Sequence, residues 1–253
     1  MPIIRDSLKL YYPDNYFIAR YLDLAKFISL LQNHSLFFCR LDNLEDQLEG
    51  TTAKPNQEFR KQYLQLNNEL DESKNKLDEE AINEHVMFLS ELDNKMKSIF
   101  YVNCWNRSEF ESAALWKIYS DLEKGIMLKS TIERLKDSLK KTSEIIRLSE
   151  IHYLNYDKEL MPDGNIMYPI VHKHRAYTYE NEVRLILEPQ LEDFHLAKKP
   201  NVYKSGFHIK IDLDILIEEI IIGPTSPDWF IELVQKLVDK YNLKKVIKKS
   251  VLS

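Results

Sequence analysis

The stretch Cys104–Lys129, CWNRSEFESAALWKIYSDLEKGIMLK, reads as the end of a strand, an amphipathic helix and the start of another strand. Ser108 and Glu111 make an S-x-x-E capping box, which predicts a helix from Ser108 to about Leu122. Leu115, Ile118 and Leu122 recur at spacings of three and four, enough to dock that helix on a core. Ser112, Trp116 and Tyr119 form a second line at the same spacings. A hydroxyl, an indole N–H and a phenol on one stripe need hydrogen-bond partners if buried, so this line suits the wall of a cleft.

Outward from this segment, helix and strand alternate irregularly. Upstream, Tyr16–Tyr21 reads as a strand, Leu22–Gln32 as a helix that Asp23 can cap, and Ser35–Cys39 as a second strand. Between about residues 55 and 97 the composition turns to Lys, Glu, Asn and Gln, which predicts two helices inserted on one flank. Strands follow at Ile99–Trp105, Gly125–Lys129, Ile151–Tyr156, Val183–Glu188, Gly206–Ile211 and Glu219–Ile222, with helices at Ile132–Lys140 and Asp228–Tyr241. Lys245–Val251 can add an edge strand. The sum predicts an α+β fold, a mixed and largely antiparallel sheet flanked by helices, in a single domain over residues 1–253.

Four motifs in this order resemble a bacterial family catalogued as domain of unknown function 2971. The Cys-Trp strand end with its Glu-Ser-Ala-Ala-Leu-Trp-Lys-Ile-Tyr-Ser helix and Gly-Ile strand is the first. Leu36–Gly50, LFFCRLDNLEDQLEG, resembles the family's strand followed by an acidic turn, although Gln47 stands where a proline is usual. Tyr177–Ile186, YTYENEVRLI, resembles its Glu-x-Glu-x-Arg strand, and Ile222-Gly223-Pro224 with Trp229-Phe230 its C-terminal element. The resemblance spans most of the chain, but the family's name states no chemistry.

Composition sets the outer bounds. The 253 residues are 44% apolar and 30% charged, a globular profile long enough to bury a substantial core. A net charge of -5 gives no general attraction to phosphate backbones, so nucleic acid is not favoured as a partner. No apolar run approaches a membrane span and MPIIRDSLKL lacks a secretory core, which predicts a cytoplasmic protein without a membrane partner. Cys39 and Cys104 read as buried, reduced thiols. Five scattered glycines cannot build a phosphate cradle, and no P-loop, Rossmann, zinc-hydrolase or serine-hydrolase motif is present. His172 and His174 would share one side of a strand, but without a third ligand at fixed spacing they predict no metal site.

Carboxylates, arginines and aromatics at strand ends remain. Glu180 and Glu182 at i, i+2 would point to one side, and their proximity would raise one pKa toward acid/base work, with Arg184 continuing the face. A ladder of salt bridges on an edge strand is the alternative. Asp42, Glu45, Asp46 and Glu49 read as the acidic first turn of a helix, or as oxygen ligands for Mg²⁺. Arg20 and Arg40, each at a strand end, can hold a phosphate or carboxylate.

The order of a basic residue, Lys129-Ser130-Thr131 and a late Glu-x-Glu is also similar to the ADP-ribosyltransferase superfamily. That likeness implies NAD as a substrate, Arg20 or Arg40 on the pyrophosphate, Ser130 bracing the site and Glu182 stabilising the oxocarbenium-like ribose. Trp116, Tyr119 or Tyr179 would stack on a ring. With Ser112 on the cleft line and Glu180 beside Glu182, the expectation is a nucleotide-directed enzyme, NAD-using or NAD-cleaving, with a place in bacterial defence or stress response. Two alternatives stand beside it: a non-catalytic sensing module with a ligand or protein partner in the Trp116–Tyr119 groove, and a Mg²⁺-dependent nuclease built on Asp46, Glu182 and Arg184.

Overall fold

Strand β4 (Tyr101–Arg107) is the axis of the fold, because its two edges are occupied by three different strands. A computed structural model describes residues 5–6, 14–70, 76–120, 122–187, 189 and 205–252. The N-terminal stretch MPIIRDSLKL, apart from Arg5 and Asp6, and the predicted strand end Glu188 lie outside the described residues.

In chain order the strands are β1 (Arg5–Asp6), β2 (Phe17–Leu22), β3 (Ser35–Arg40), β4, β5 (Ile126–Thr131), β6 (Ile146–Glu150), β7 (His152–Leu154), β8 (His172–His174), β9 (Glu182–Leu187), β10 (Gly206–Lys210), β11 (Glu219–Ile222) and β12 (Val246–Lys249). The helices are α1 (Leu24–Asn33), α2 (Lys54–Leu70), α3 (Glu79–Met96), α4 (Ala113–Tyr119), α5 (Ile132–Ser138), α6 (Leu213–Leu216) and α7 (Asp228–Lys240). The main sheet runs β1-β6-β9-β4-β2-β5-β11-β12, with β3 on β4 and β10 on β3; β7 and β8 form a separate pair. Pairing is antiparallel except for β1 with β6, β11 with β12 and β7 with β8. The fold is therefore α+β with a mixed, mostly antiparallel sheet. No helix among the described residues is long and apolar enough to cross a membrane.

Strand alternation separates two faces. Ile18, Leu22, Leu128, Ile220 and Leu185 point to one, where α1, α5, α6 and α7 cover them in the main core. The opposite face carries Ala19, Tyr21, Met127 and Ile221 beneath α4, and Val102 and Ile186 beneath a layer built from residues 99–100 and 151–171. Between those two smaller clusters the second face is left to polar groups.

Several boundaries differ from the sequence expectation for local reasons. The helix expected at Ser108 starts at Ala113, because the cap is Ser112, whose Oγ accepts from Leu115 N at 3.3 Å. Ser108 instead closes a short loop with Phe110. Delayed by these residues, the helix buries Leu115 and Trp116 and leaves Ile118 51% exposed, so the expected docking line is broken. The acidic run at Asp42–Glu49 opens no α-helix; a single 3₁₀ turn at Leu41–Asn43 is followed by irregular chain until α2. The expected strand Ile151–Tyr156 is the short β7, preceded by β6, which the pattern did not reveal. Helices α2 and α3 occupy the expected insertion, tied to each other by Arg60 on Asp93 and to the chain beyond by Arg60 on Asp163 and the paired amide of Asn56 on Met161.

Candidate functional site

The sheet forks at the middle of β4. Its C-terminal end pairs with β2 (Ala19 opposite Asn106, Ile18 opposite Arg107), whereas its N-terminal end pairs with β3 (Cys39 opposite Val102, Arg40 opposite Tyr101). Residues 103–105 thus face a gap where β2 and β3 diverge, joined by α1. Unpaired backbone needs side-chain partners there, and Asn103 supplies one by donating to Phe37 O at 2.9 Å while accepting from Trp105 Nε1 at 2.8 Å. A cavity of about 670 Å³ occupies the fork and opens along the polar part of the second face, within the range of roughly 300–1,000 Å³ usual for small-molecule sites.

One wall is a buried charge cluster. Arg184 is fully buried; its Nε and Nη2 donate to Glu182 at 2.6 and 3.0 Å, its Nη2 to Glu49 at 2.7 Å and its Nη1 to Ile170 O at 2.9 Å. Lys173, on β8, lies 2.8 Å from Glu49, 2.7 Å from Glu180 and 3.5 Å from Glu182. The cluster therefore sets three carboxylates against two cations. Tyr119, at the end of α4, donates to Glu180 Oε1 at 2.5 Å and is 41% exposed, so this bond faces the open part of the cavity.

Glu180 and Glu182 reach the cluster by a route the strand pattern did not predict. Glu180 ends a 3₁₀ segment (Arg175–Glu180), and Asn181 turns through the left-handed region at φ 41° before β9 begins at Glu182. Asparagine tolerates that conformation, and its side chain is tied to Arg107 in both directions, with Nδ2 donating to Arg107 O and Oδ1 accepting from Nη2. The turn is thereby fixed and both carboxylates aim inward.

Their protonation diverges. Burial pushes Glu182 up, but Arg184 and Lys173 outweigh it and hold the carboxyl near a pKa of about 2. Glu180 is raised by burial, against the opposing pull of Lys173 and Tyr119. Burial, and then the bond to Glu180, push the Tyr119 phenol up as well. Paired carboxyls driven apart by environment are the arrangement in which one holds a fixed charge and the other exchanges a proton. Glu182 has the first property and Glu180 the second.

The opposite wall carries Arg20. It belongs by alternation to the main-core face, beside the divergence, with its guanidinium 6.0 Å from the Trp105 ring. No carboxylate and no hydrogen-bond acceptor among the described residues partners it, and burial lowers its pKa. Cys39 and Cys104 lie between the walls as free thiols, both raised by burial. Asp46 also lines the cavity: Oδ1 accepts from Leu48 N at 2.9 Å, and Oδ2 is buried without a partner among the described residues.

Of the residues singled out in the sequence, Arg20, Tyr119, Glu180, Glu182 and Arg184 converge on this cavity, together with Cys39, Cys104 and the acids Glu45, Asp46 and Glu49. Trp116, Ser112, Ser130, Arg40 and Tyr179 do not. Trp116 is fully buried, edge-on to Tyr21 at 5.0 Å, with its N–H on Glu111 at 3.0 Å, so it packs α4 and offers no ring to a ligand. Ser112 is spent on the helix cap and Ser130 donates to Leu216 O in the core at 2.5 Å. Arg40 pairs with Asp42 at 2.5 Å, and Tyr179 lies outside the lining, 6.3 Å from Tyr177. His172 Nδ1 donates to Tyr168 O at 2.6 Å, and His174 Nδ1 caps the 3₁₀ segment by accepting from Ala176 N. Lys173, between His172 and His174, was missed, and Glu49 was read only as one acid in a run of four and not as a partner of Arg184 and Lys173.

The Glu182 oxygens that the nuclease alternative assigns to a cation pair here with Arg184 and Lys173. Among the described residues no group of three or more His, Cys, Asp or Glu is placed to hold a metal ion. No protein-family model matches the chain, and no curated protein matches it.

Proposed function

We propose that this protein is a nucleotide-directed enzyme, most concretely one that uses or cleaves NAD, and that Tyr119 and Glu180 are its proton-transfer pair. The observation that carries this reading is the Tyr119–Glu180 hydrogen bond opening onto the same cavity that holds the unpartnered Arg20 guanidinium. An Arg fork suits a phosphate or carboxylate, and a guanidinium left without a protein acceptor is satisfied when a ligand supplies one. Glu180 is able to take or give a proton because its charged form is disfavoured by burial, and Tyr119 relays to the cavity. Glu182, Arg184, Glu49 and Lys173 act as positioning residues, fixing Glu180 without meeting the substrate.

The reading relocates the role that the ADP-ribosyltransferase likeness gives to Glu182: the reacting carboxyl is Glu180. Kinship with the unknown-function family 2971, supported by the motif order in the sequence, belongs to the same proposal, and with it go a cytoplasmic location and service in defence or stress response. The test is nicotinamide release from NAD. Wild-type protein should release it, Glu180→Gln should bind NAD without releasing it, and Arg20→Gln should fail to bind; binding and turnover unaffected by both substitutions would refute the proposal.

A sensing module is the second reading, favoured by the complete internal pairing of Arg184 and Lys173, which leaves the cluster stable without chemistry. NAD binding without turnover, unchanged in Glu180→Gln, would favour it.

A further inference from the structure

The charges around the cavity are segregated. The segments β2, α1, β3 and β10 contribute Arg20, Lys26 and His208 to its lining and no carboxylate. Every acid in the lining comes from the facing side: Glu45, Asp46 and Glu49 from the irregular chain after β3, Glu180 and Glu182 from the other flank of β4. Lys173 and Arg184 neutralise part of that side, but five carboxylates against two cations leave it negative. Lys26 is largely exposed and paired with Asp23 at 3.1 Å, so Arg20 provides most of the positive character at depth. Two buried polar atoms of lining residues lack a partner among the described residues, Asp46 Oδ2 on the acidic wall and Asn106 Oδ1 on β4, while the Arg20 guanidinium on the other wall has the Trp105 ring at 6.0 Å as its contact. Cys104 and Leu128 also line the space, as do Tyr119, bonded to Glu180, and Tyr177, whose ring packs on Lys173.

We infer that the cavity selects a bipolar small molecule, one that joins an anionic phosphate or carboxylate to a cationic group, with the anion at Arg20 and the cation against the wall of Asp46 and Glu180. A wholly anionic ligand would satisfy Arg20 and meet repulsion across the cavity, while a simple cation would leave the guanidinium unpaired. This deepens the proposed function and rests on the same cavity, since oxidised NAD, with its pyridinium ring and pyrophosphate, is one member of the class. The geometry does not require a nucleotide, however: a phosphate ester of a quaternary amine meets the same two demands. The Tyr119 ring beside the carboxylates adds apolar contact for either cation, whereas the Tyr177 face already carries Lys173 Nζ at 4.7 Å.

The test uses pairs matched in anion and differing in the cation. Binding is measured by calorimetry on the full chain for oxidised and reduced NAD, which share their phosphates, and for phosphocholine against its neutral isostere 3,3-dimethylbutyl phosphate. The cationic member of at least one pair should bind more tightly by about tenfold or more. Asp46→Asn should narrow that preference, whereas Arg20→Gln should weaken both members alike. Preference for phosphocholine with no binding of NAD upholds the bipolar site and ends the nucleotide reading. Equal binding within both pairs together with nicotinamide release upholds the nucleotide reading and overturns the bipolar site. Absence of any binding, or a preference unchanged in Asp46→Asn, overturns it too.

Discussion

Tyr119 Oη donates to Glu180 Oε1 at 2.5 Å across 61 residues of sequence, joining the end of α4 to the segment that enters β9. The bond favours ionised Glu180, so its loss moves the carboxyl further up. Tyr119→Phe should therefore raise the Glu180 pKa in a carbon-detected NMR titration of glutamate carboxyls. Because Tyr119 is substantially exposed, the melting transition should move by about 1 kcal/mol or less. A carboxyl that titrates as in the wild type would show that the bond does not form in solution.

Neutralising the two glutamates should have unequal effects. Glu182→Gln leaves Arg184 and Lys173 short of a buried counter-charge and should cost about 3–5 kcal/mol. Glu180→Gln brings three carboxylates against two cations to balance and should cost much less near neutral pH. Chemical denaturation of both variants, read as midpoint shifts, checks the order. Equal losses would mean the surplus charge is not at Glu180.

The same pair fixes the sign of the pH dependence. Glu182 is depressed from 4.5 to about 2, so its contribution is fully present above pH 4.5 and is lost as pH falls toward about 2. Glu180 is raised, so its contribution is present at low pH and lost as pH rises through its folded value. Thermal melts from pH 6 to pH 2 should show a steep acid loss in the wild type that is flattened in Glu182→Gln. An identical acid limb in both would contradict the assignment.

Glu49 enters the cluster from a turn whose next residue, Gly50, has φ +73°. A Cβ at that position would meet Leu41 Cδ2 at 2.7 Å and would also carry the left-handed strain of an L residue. Gly50→Ala should destabilise by about 1–2 kcal/mol from backbone conformation alone, more if Leu41 cannot shift. Displacement of Glu49 should accompany it, visible as a shifted Glu182 titration. Unchanged stability would show that the turn relaxes freely.

Much of the fold was legible because apolar periodicity is a local property. The continuous apolar runs Ile126–Leu128 and Ile220–Ile222 and the stripe of Phe230, Val234 and Val238 in α7 locate elements without reference to their partners. What failed depended on tertiary competition. Glu111, expected to complete a capping box, instead accepts from Trp116 Nε1, Ser250 Oγ and Val251 N, drawing the tryptophan inward and the chain terminus beside it. The site followed the same division. Arg20 and Glu182 stood out as charges at strand ends, but Lys173 acquires its meaning from Glu49, more than a hundred residues away in the chain, and no spacing rule connects them.

The central claim is that a ligand occupies the fork between β2 and β3, and Cys39 reports on it directly because it lines that space. The decisive measurement is the rate of maleimide labelling at Cys39, followed by mass spectrometry with and without oxidised NAD and repeated in Arg20→Gln. The account predicts slowed labelling in the wild type and no protection in the variant. Labelling unchanged by NAD at a concentration that raises the melting temperature would place the ligand elsewhere and contradict it.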